Sequence, residues 1–374
     1  MAGVARTRTI TSTHDGGGTY VRPSKTSTNG PITVQTKRCD DIVGDPQGDH
    51  TLTITDTKRS FVILNGYDSQ LNVQYNNWRS VDFPPIQAYF PSFNVNSLAT
   101  RVGAGTNPGR PVVNLPVFIW ELRELPGLIR LAGQSILGKI SSGYLSWNFG
   151  WAPLLSDLRK LVTLQDSIDK RLKELQNLKK KGYMRRRLDL EEKSLDATGS
   201  HVFESSSTIV TVKRLSQNHR KIWGTVKWRM SSATSIPDSQ AEQIALARRS
   251  VLGLVPGNIT LALWEALPWT WLIDWFADFG AYFKATNNSI AYAVNGSACI
   301  MVRTIVQDTV VSTSSSRPAI SVDPQMGHLI KKQRFIGTFS PLSMSLPILS
   351  NGQLATAAAL ATQRLDAYAH LRRK

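Results

Sequence analysis

Hydrophobic positions along this chain repeat with two periods, and the switches between them mark its elements. In the stretch 144–182, Leu154, Leu158, Leu161, Gln165, Ile168, Leu172 and Leu175 follow one another at steps of four and three. That spacing puts them on one stripe of a helix, with charges on the other faces. Pro153 suits a first helical position and Gly182 suits a stop. A helix over 153–181 would be about 43 Å long at 1.5 Å per residue, and such a rod needs neighbours to cover its stripe. Upstream, 116–137 reads as a helix kinked at Pro126. Downstream, the helical period returns at 238–252, with Asp238 as its cap, and again at 259–285 and 352–373.

Between these segments the period is two. Residues 205–215 and 222–230 predict a hairpin turning through 216–220. Ile222, Val226, Trp228 and Met230 share one face, and Trp223, Thr225, Lys227 and Arg229 the other. Further strands are predicted at 290–313 and within 317–339. The first 115 residues read as irregular and β-rich, with turn signals at short intervals and strands at 51–55, 60–64 and 70–75. From 82 to 116 prolines punctuate an extended surface chain, and Gly103, Gly105 and Gly109 predict a loop there. The expected fold is α+β and elongated, a helical bundle region plus a β-rich region of long antiparallel strands. Both regions are discontinuous: helical at 116–182, 238–285 and 352–374, and β at 1–115, 183–237 and 286–351.

Charge changes this picture. The 374 residues carry 44 Lys and Arg against 27 Asp and Glu, a formal net charge of +17. A surplus that large opposes compaction unless a polyanion neutralises it, which points to nucleic acid. Residues 170–187 hold the densest run: Lys170, Arg171, Lys173, Lys179, Lys180, Lys181, Arg185, Arg186 and Arg187 against one acid, Glu174. Lys221, Lys227 and Arg229, interleaved with Trp223 and Trp228, and the terminal Arg372 and Arg373 complete the candidate RNA contacts. The bland reading of the run is a solvated helix face, and that of the two tryptophans is packing against a neighbouring strand. No membrane span is expected, because the most apolar stretch, 259–283, is interrupted by Glu265, Pro268, Asp274 and Asp278. The N-terminus shows no apolar signal region. Two cysteines, Cys39 and Cys299, are too few for a disulfide scaffold, and their pairing stays open.

Candidate chemistry is sparse. The six histidines are scattered, and no metal-ligand spacing, nucleophile elbow or phosphate-binding glycine loop occurs. Glu265, Asp274 and Asp278 are acid–base candidates, but carboxylates in an apolar helix more often satisfy neighbouring polar groups. The expectation is a non-enzymatic protein with no catalytic residue, no metal and no cofactor.

Two blocks carry a resemblance. The first contains Phe149, Gly150, Trp151, Pro153, Ser156 and Asp157. The second contains Trp264, Glu265, Pro268, Asp274 and Trp275. Spaced as they are, they resemble the maturation proteins (A proteins) of the levivirus-like single-stranded RNA bacteriophages, as does Ser340-Pro341-Leu342-Ser343-Met344 before the final basic helix. The likeness covers about 143–160 and 254–284, less clearly 340–373, and not 1–115. It implies a monomer present as one copy per virion, made in the bacterial host cytoplasm and seated among coat protein dimers. It also implies binding of genomic single-stranded RNA near the 3′ end, and attachment of the virion to a host pilus for RNA entry. The motif residues themselves read as core rather than as ligand contacts, and the loop at 103–109 is expected to serve host adsorption. Basic charge alone would also suit a cellular RNA-binding protein without a virion role. A coat gene and a replicase gene downstream would separate the two readings.

Overall fold

The computed structural model describes residues 3–14, 16–43, 50–79, 82–112, 163–205, 208–232, 236–255, 279–288, 290–341, 355–356 and 358–359. In chain order they form β1 (Val4–His14), β2 (Thr19–Arg22), β3 (Lys25–Thr28), β4 (Ile32–Val43), β5 (Leu52–Lys58), β6 (Phe61–Asp68), β7 (Val73–Arg79) and α1 (Val95–Thr106). There follow α2 (Leu164–Lys181), β8 (Tyr183–Ser205), β9 (Thr208–Met230), α3 (Gln240–Val251), α4 (Phe279–Thr286), β10 (Ala291–Ala293), β11 (Ser297–Ser315), β12 (Ile320–Gln325) and β13 (His328–Thr338). One sheet has the order β1-β4-β5-β13-β11-β9-β10, with β8 also paired to β9. A second runs β12-β6-β7-β2-β3.

This corrects the expected fold class. The described residues are 55% strand and 22% helix, with two sheets and four helices, and no helical bundle region is evident among them. The long antiparallel strands are present, because β8 and β9 run 23 residues each. The bundle expectation rested on 116–182, 238–285 and 352–374, of which 163–182, 238–255, 279–285 and four residues near the C-terminal end are described. Leu154, Leu158 and Leu161 of the predicted stripe, Arg372, Arg373 and every residue of the two Trp/Pro/Asp blocks lie outside the described residues.

The chain divides into two compact units. Unit 1 comprises 1–95, 189–224 and 299–336; unit 2 comprises 96–188, 225–298 and 337–374. These boundaries differ from the expected partition, since unit 2 holds the four described helices, save Val95 of α1, together with strand residues of β8, β9, β10, β11 and β13.

Unit 1 is all β among its described residues. Its apolar centre is Tyr20, Val62, Leu64, Val73, Tyr75, Phe83, Val210, Val212 and Ile320. The strands β1 and β4 escape sequence reading because neither has an apolar face. All of β1 is exposed, and cross-strand polar pairs hold it, Arg6 to Asp41 at 2.7 Å and Thr7 to Asp40 at 2.7 Å.

The predicted turn at 216–220 is also corrected. Every even-numbered residue from Thr208 to Trp228 is buried, so β9 is one continuous strand. Its buried middle positions are polar because of what covers them, a proline-punctuated strap at 83–93 whose backbone has few strand partners. Arg214 donates to Pro84 O at 2.7 Å, Asn218 to Ile86 O at 3.2 Å and Arg220 to Pro91 O at 2.8 Å. The Ala88 N–H donates back to Asn218 Oδ1 at 2.9 Å. Arg214 also lies over the Phe83 ring and Arg220 over Phe90. Arg214 is ion-paired to Asp308 at 2.7 Å, where the carboxylate side chain is 0% exposed, and Ser216 Oγ donates to the other oxygen. Arg220 pairs with Glu191 at 2.6 Å; burial pushes that carboxyl up, but Arg220 and Lys193 hold it below its ordinary value. Polar groups, partnered except at the Nε atoms of Arg214 and Arg220, thus replace apolar ones along this face.

In unit 2, α1 replaces the predicted glycine loop. Gly103 lies inside the helix, where a Cβ would stand 2.6 Å from Phe339 Cζ and 2.9 Å from the Ala285 methyl. The glycine is there to let α1 come close, so this segment does not carry the exposed adsorption loop expected at 103–109. Gly103→Val should lower stability by about 1–3 kcal/mol through overpacking, read as a lower thermal midpoint. An unchanged midpoint would return the segment to a surface loop.

Candidate nucleic-acid interface

The basic run begins on α2, whose buried positions are Ile168, Arg171, Leu175 and Leu178. Gly182 ends the helix as the sequence predicts, in the left-handed conformation at φ 71°, with its N–H donating to Leu178 O. The chain then turns straight into β8. Lys179, Lys180 and Lys181 of the last helical turn therefore stand within a few residues of Arg185, Arg186 and Arg187. Those three lysines also complement the negative end of the helix dipole, so a phosphate there competes with a local interaction.

The structure sorts these cations by direction. Arg171 turns inward: its guanidinium donates to the carbonyls of Pro108 and Arg110 and lies 3.2 Å from Glu174. Burial lowers its pKa to about 10, so it remains charged at neutral pH. Arg186 donates to Thr106 O at 2.8 Å and pairs with the same Glu174. The one acid of the run is thus taken by the two inward arginines. Lys179 donates to Pro237 O at 2.7 Å and holds the Asp238 carboxyl below its ordinary range. In unit 1, Lys221 pairs with Glu192 at 2.8 Å and lies 3.8 Å from Asp189.

Contacts at both ends fix α3 against α2. Lys179 near the end of α2 meets Asp238 before the start of α3, while the Val112 N–H reaches Val251 O at the end of α3. With Arg110 on Arg171, these contacts make the two helices an antiparallel pair.

The outward set is Lys170, Lys173, Lys180, Lys181, Arg185 and Arg187, all exposed. Asp166 and Asp169 precede Lys170 and Lys173 by one helical turn and moderate their charge. On β9, Arg229 is exposed, and Lys227 is half-buried with its ammonium 5.1 Å from the Tyr183 ring centroid. Trp228 is 0% exposed and donates its indole N–H to Thr106 Oγ1 at 3.2 Å, which removes it from the stacking candidates. Trp223 is half-buried. Sequence reading missed Tyr183 and Tyr292, 49% and 37% exposed, and the exposed Arg248 and Arg249 in the last turn of α3. Parity along β8 was the available signal for Tyr183, because positions 183, 185 and 187 share a face.

Charge is divided unevenly between the units. Unit 2 contains 25 Lys and Arg against 12 Asp and Glu, a balance of +13. Unit 1 contains 19 against 15, a balance of +4. Among the described residues, no group of three or more His, Cys, Asp or Glu side chains is placed to hold a metal, and no helix is long and apolar enough to cross a membrane. Cys39 and Cys299 are not joined in a disulfide.

The sorting predicts separable effects. Arg171→Met should cost about 2–4 kcal/mol of stability, because the carbonyls of Pro108 and Arg110 and the Glu174 carboxylate lose a donor. It should leave the salt dependence of RNA binding unchanged. A shallower salt slope in that variant would place Arg171 among the phosphate contacts.

No family model matches this chain, and none of the curated proteins matches it.

Proposed function

We propose that this protein holds RNA on the basic surface of unit 2, as the maturation component of a single-stranded RNA phage particle. The observation that carries the reading is the concentration of charge: +13 of the formal +17 belongs to unit 2. On it Lys180, Lys181, Arg185 and Arg187 are exposed. A charged surface of this kind contributes affinity through counterion release without reading sequence. The virion role rests on the two Trp/Pro/Asp blocks and brings with it a single copy among coat dimers and attachment to a host pilus. Unit 1, all β among its described residues and close to neutral, is then the part that meets the pilus.

Ultraviolet crosslinking of particle RNA, mapped by peptide, tests the RNA half. Crosslinks are expected at 179–187 and 225–230, and crosslinks confined to unit 1 would overturn it. Competition tests the other half: excess purified protein should block adsorption of particles to host pili. Unimpeded adsorption would leave a basic RNA-binding protein without the attachment role.

A further inference from the structure

Strand parity and pairing bring a set of side chains onto one face of unit 2. Tyr183, Arg185 and Arg187 alternate along β8 and project from the same side. Lys227 and Arg229 do the same along β9, and the contact of Lys227 with the Tyr183 ring joins the two sets. On β10, Tyr292 stands directly opposite Arg229 in the antiparallel register and so shares its face. Residues 183–188, 225–230 and 291–293 contain no acid. The buried parity of β9, Val226 and Trp228, faces the other way.

We infer that this face is a stacking platform for unpaired nucleotides, with Tyr183 and Tyr292 receiving bases and Arg185, Arg187, Lys227 and Arg229 meeting the phosphates. The inference rests on the RNA-holding reading above and adds to it the class of RNA bound. Duplex RNA offers its phosphates but keeps its bases stacked inside, so exposed rings contribute nothing to it. Unpaired RNA presents a π-face at every base, and a flat strand surface with rings set among cations is the geometry that accepts it. Lys227 beside the Tyr183 ring places a cation next to the phosphate of any nucleotide whose base covers that ring. Tyrosine is also a common strand residue for packing reasons alone, and the experiment has to separate that case.

The test uses the full-length protein and two probes, an unstructured uridine-rich RNA oligonucleotide and a fully paired RNA duplex of equal phosphate count. Tyr183→Ala with Tyr292→Ala should weaken binding of the unpaired probe by about 5- to 100-fold per ring removed, the range of base–aromatic stacking. Duplex binding should stay within about twofold. Tyr183→Phe with Tyr292→Phe should keep wild-type affinity for both probes, since the ring rather than the hydroxyl does the stacking. Equal loss on both probes, no loss on either, or a Phe pair as weak as the Ala pair would overturn the platform. If the wild-type protein binds both probes alike and with strong salt dependence, the RNA-holding reading survives and the platform does not. If it binds neither probe, both fall together. Thermal melts of the two double variants confirm that any loss is not unfolding, which is not expected for rings this exposed.

Discussion

Changing Lys180, Lys181, Arg185 and Arg187 together to Gln should flatten the salt dependence of RNA binding. Each phosphate neutralised on a single strand contributes about 0.7 to the slope of log affinity against log salt. Removing four cations that each neutralise a phosphate should therefore make the slope shallower by up to about 3. The choice of residues comes from the structure. Lys179 and Arg186 belong to the same run in sequence, but they serve Pro237, Asp238, Thr106 and Glu174 and would confound the result with reduced stability. A slope unchanged in the fourfold variant would remove this surface from the interface, whatever became of the affinity.

The second large effect belongs to unit 1. Asp308→Ala should destabilise the protein by about 3–5 kcal/mol, the range for removing one partner of a buried ion pair. Arg214 would be left charged and only 10% exposed, and Ser216 would lose its acceptor. Against a total stability of about 5–15 kcal/mol, that change alone can unfold a marginal protein. Replacing both partners, Arg214→Met with Asp308→Leu, should recover much of the loss, because no uncompensated charge remains. Denaturant unfolding of the single and double variants measures this directly. A loss below about 1 kcal/mol in the single variant would show that the pair does not anchor the strap.

Several elements were readable because local chemistry and tertiary structure agree on them. Gly182 stops its helix in the expected conformation, α3 occupies Gln240–Val251 within the predicted 238–252, and the two faces assigned to 222–230 follow the observed parity. The failures share a physical cause. Ser216, Asn218 and Arg220 look like a turn because polar residues rarely fill buried strand positions, and their partners are distant in sequence: Asp308 for Ser216, the strap at 83–93 for Asn218 and Arg220. Residues 95–106 look like a loop because Gly103 and Gly105 are poor helix formers, and their value lies in close approach, to Phe339 and Leu188 respectively. In β1 and β4 the stabilising pairs are Arg–Asp and Thr–Asp across strands, which leave no hydrophobic period. The sign and site of the basic surface were legible from composition. Which cations turn inward was not, since that depends on the carbonyls of Thr106, Pro108, Arg110 and Pro237, all distant in sequence.

The outer edge of β1 has a practical consequence for work with this protein. As the terminal strand of its sheet among the described residues, it offers eleven exposed residues and a row of backbone groups to which a second chain could pair. Arg6 and Arg8 share one partner, Asp41, so the pair of cations keeps a net positive charge that opposes the meeting of two such edges, and less so as the Debye length shrinks with added salt. Ribbon-to-ribbon association should therefore appear first in concentrated, high-salt stocks. The high-salt end of any RNA titration is best run dilute, with particle size followed by light scattering.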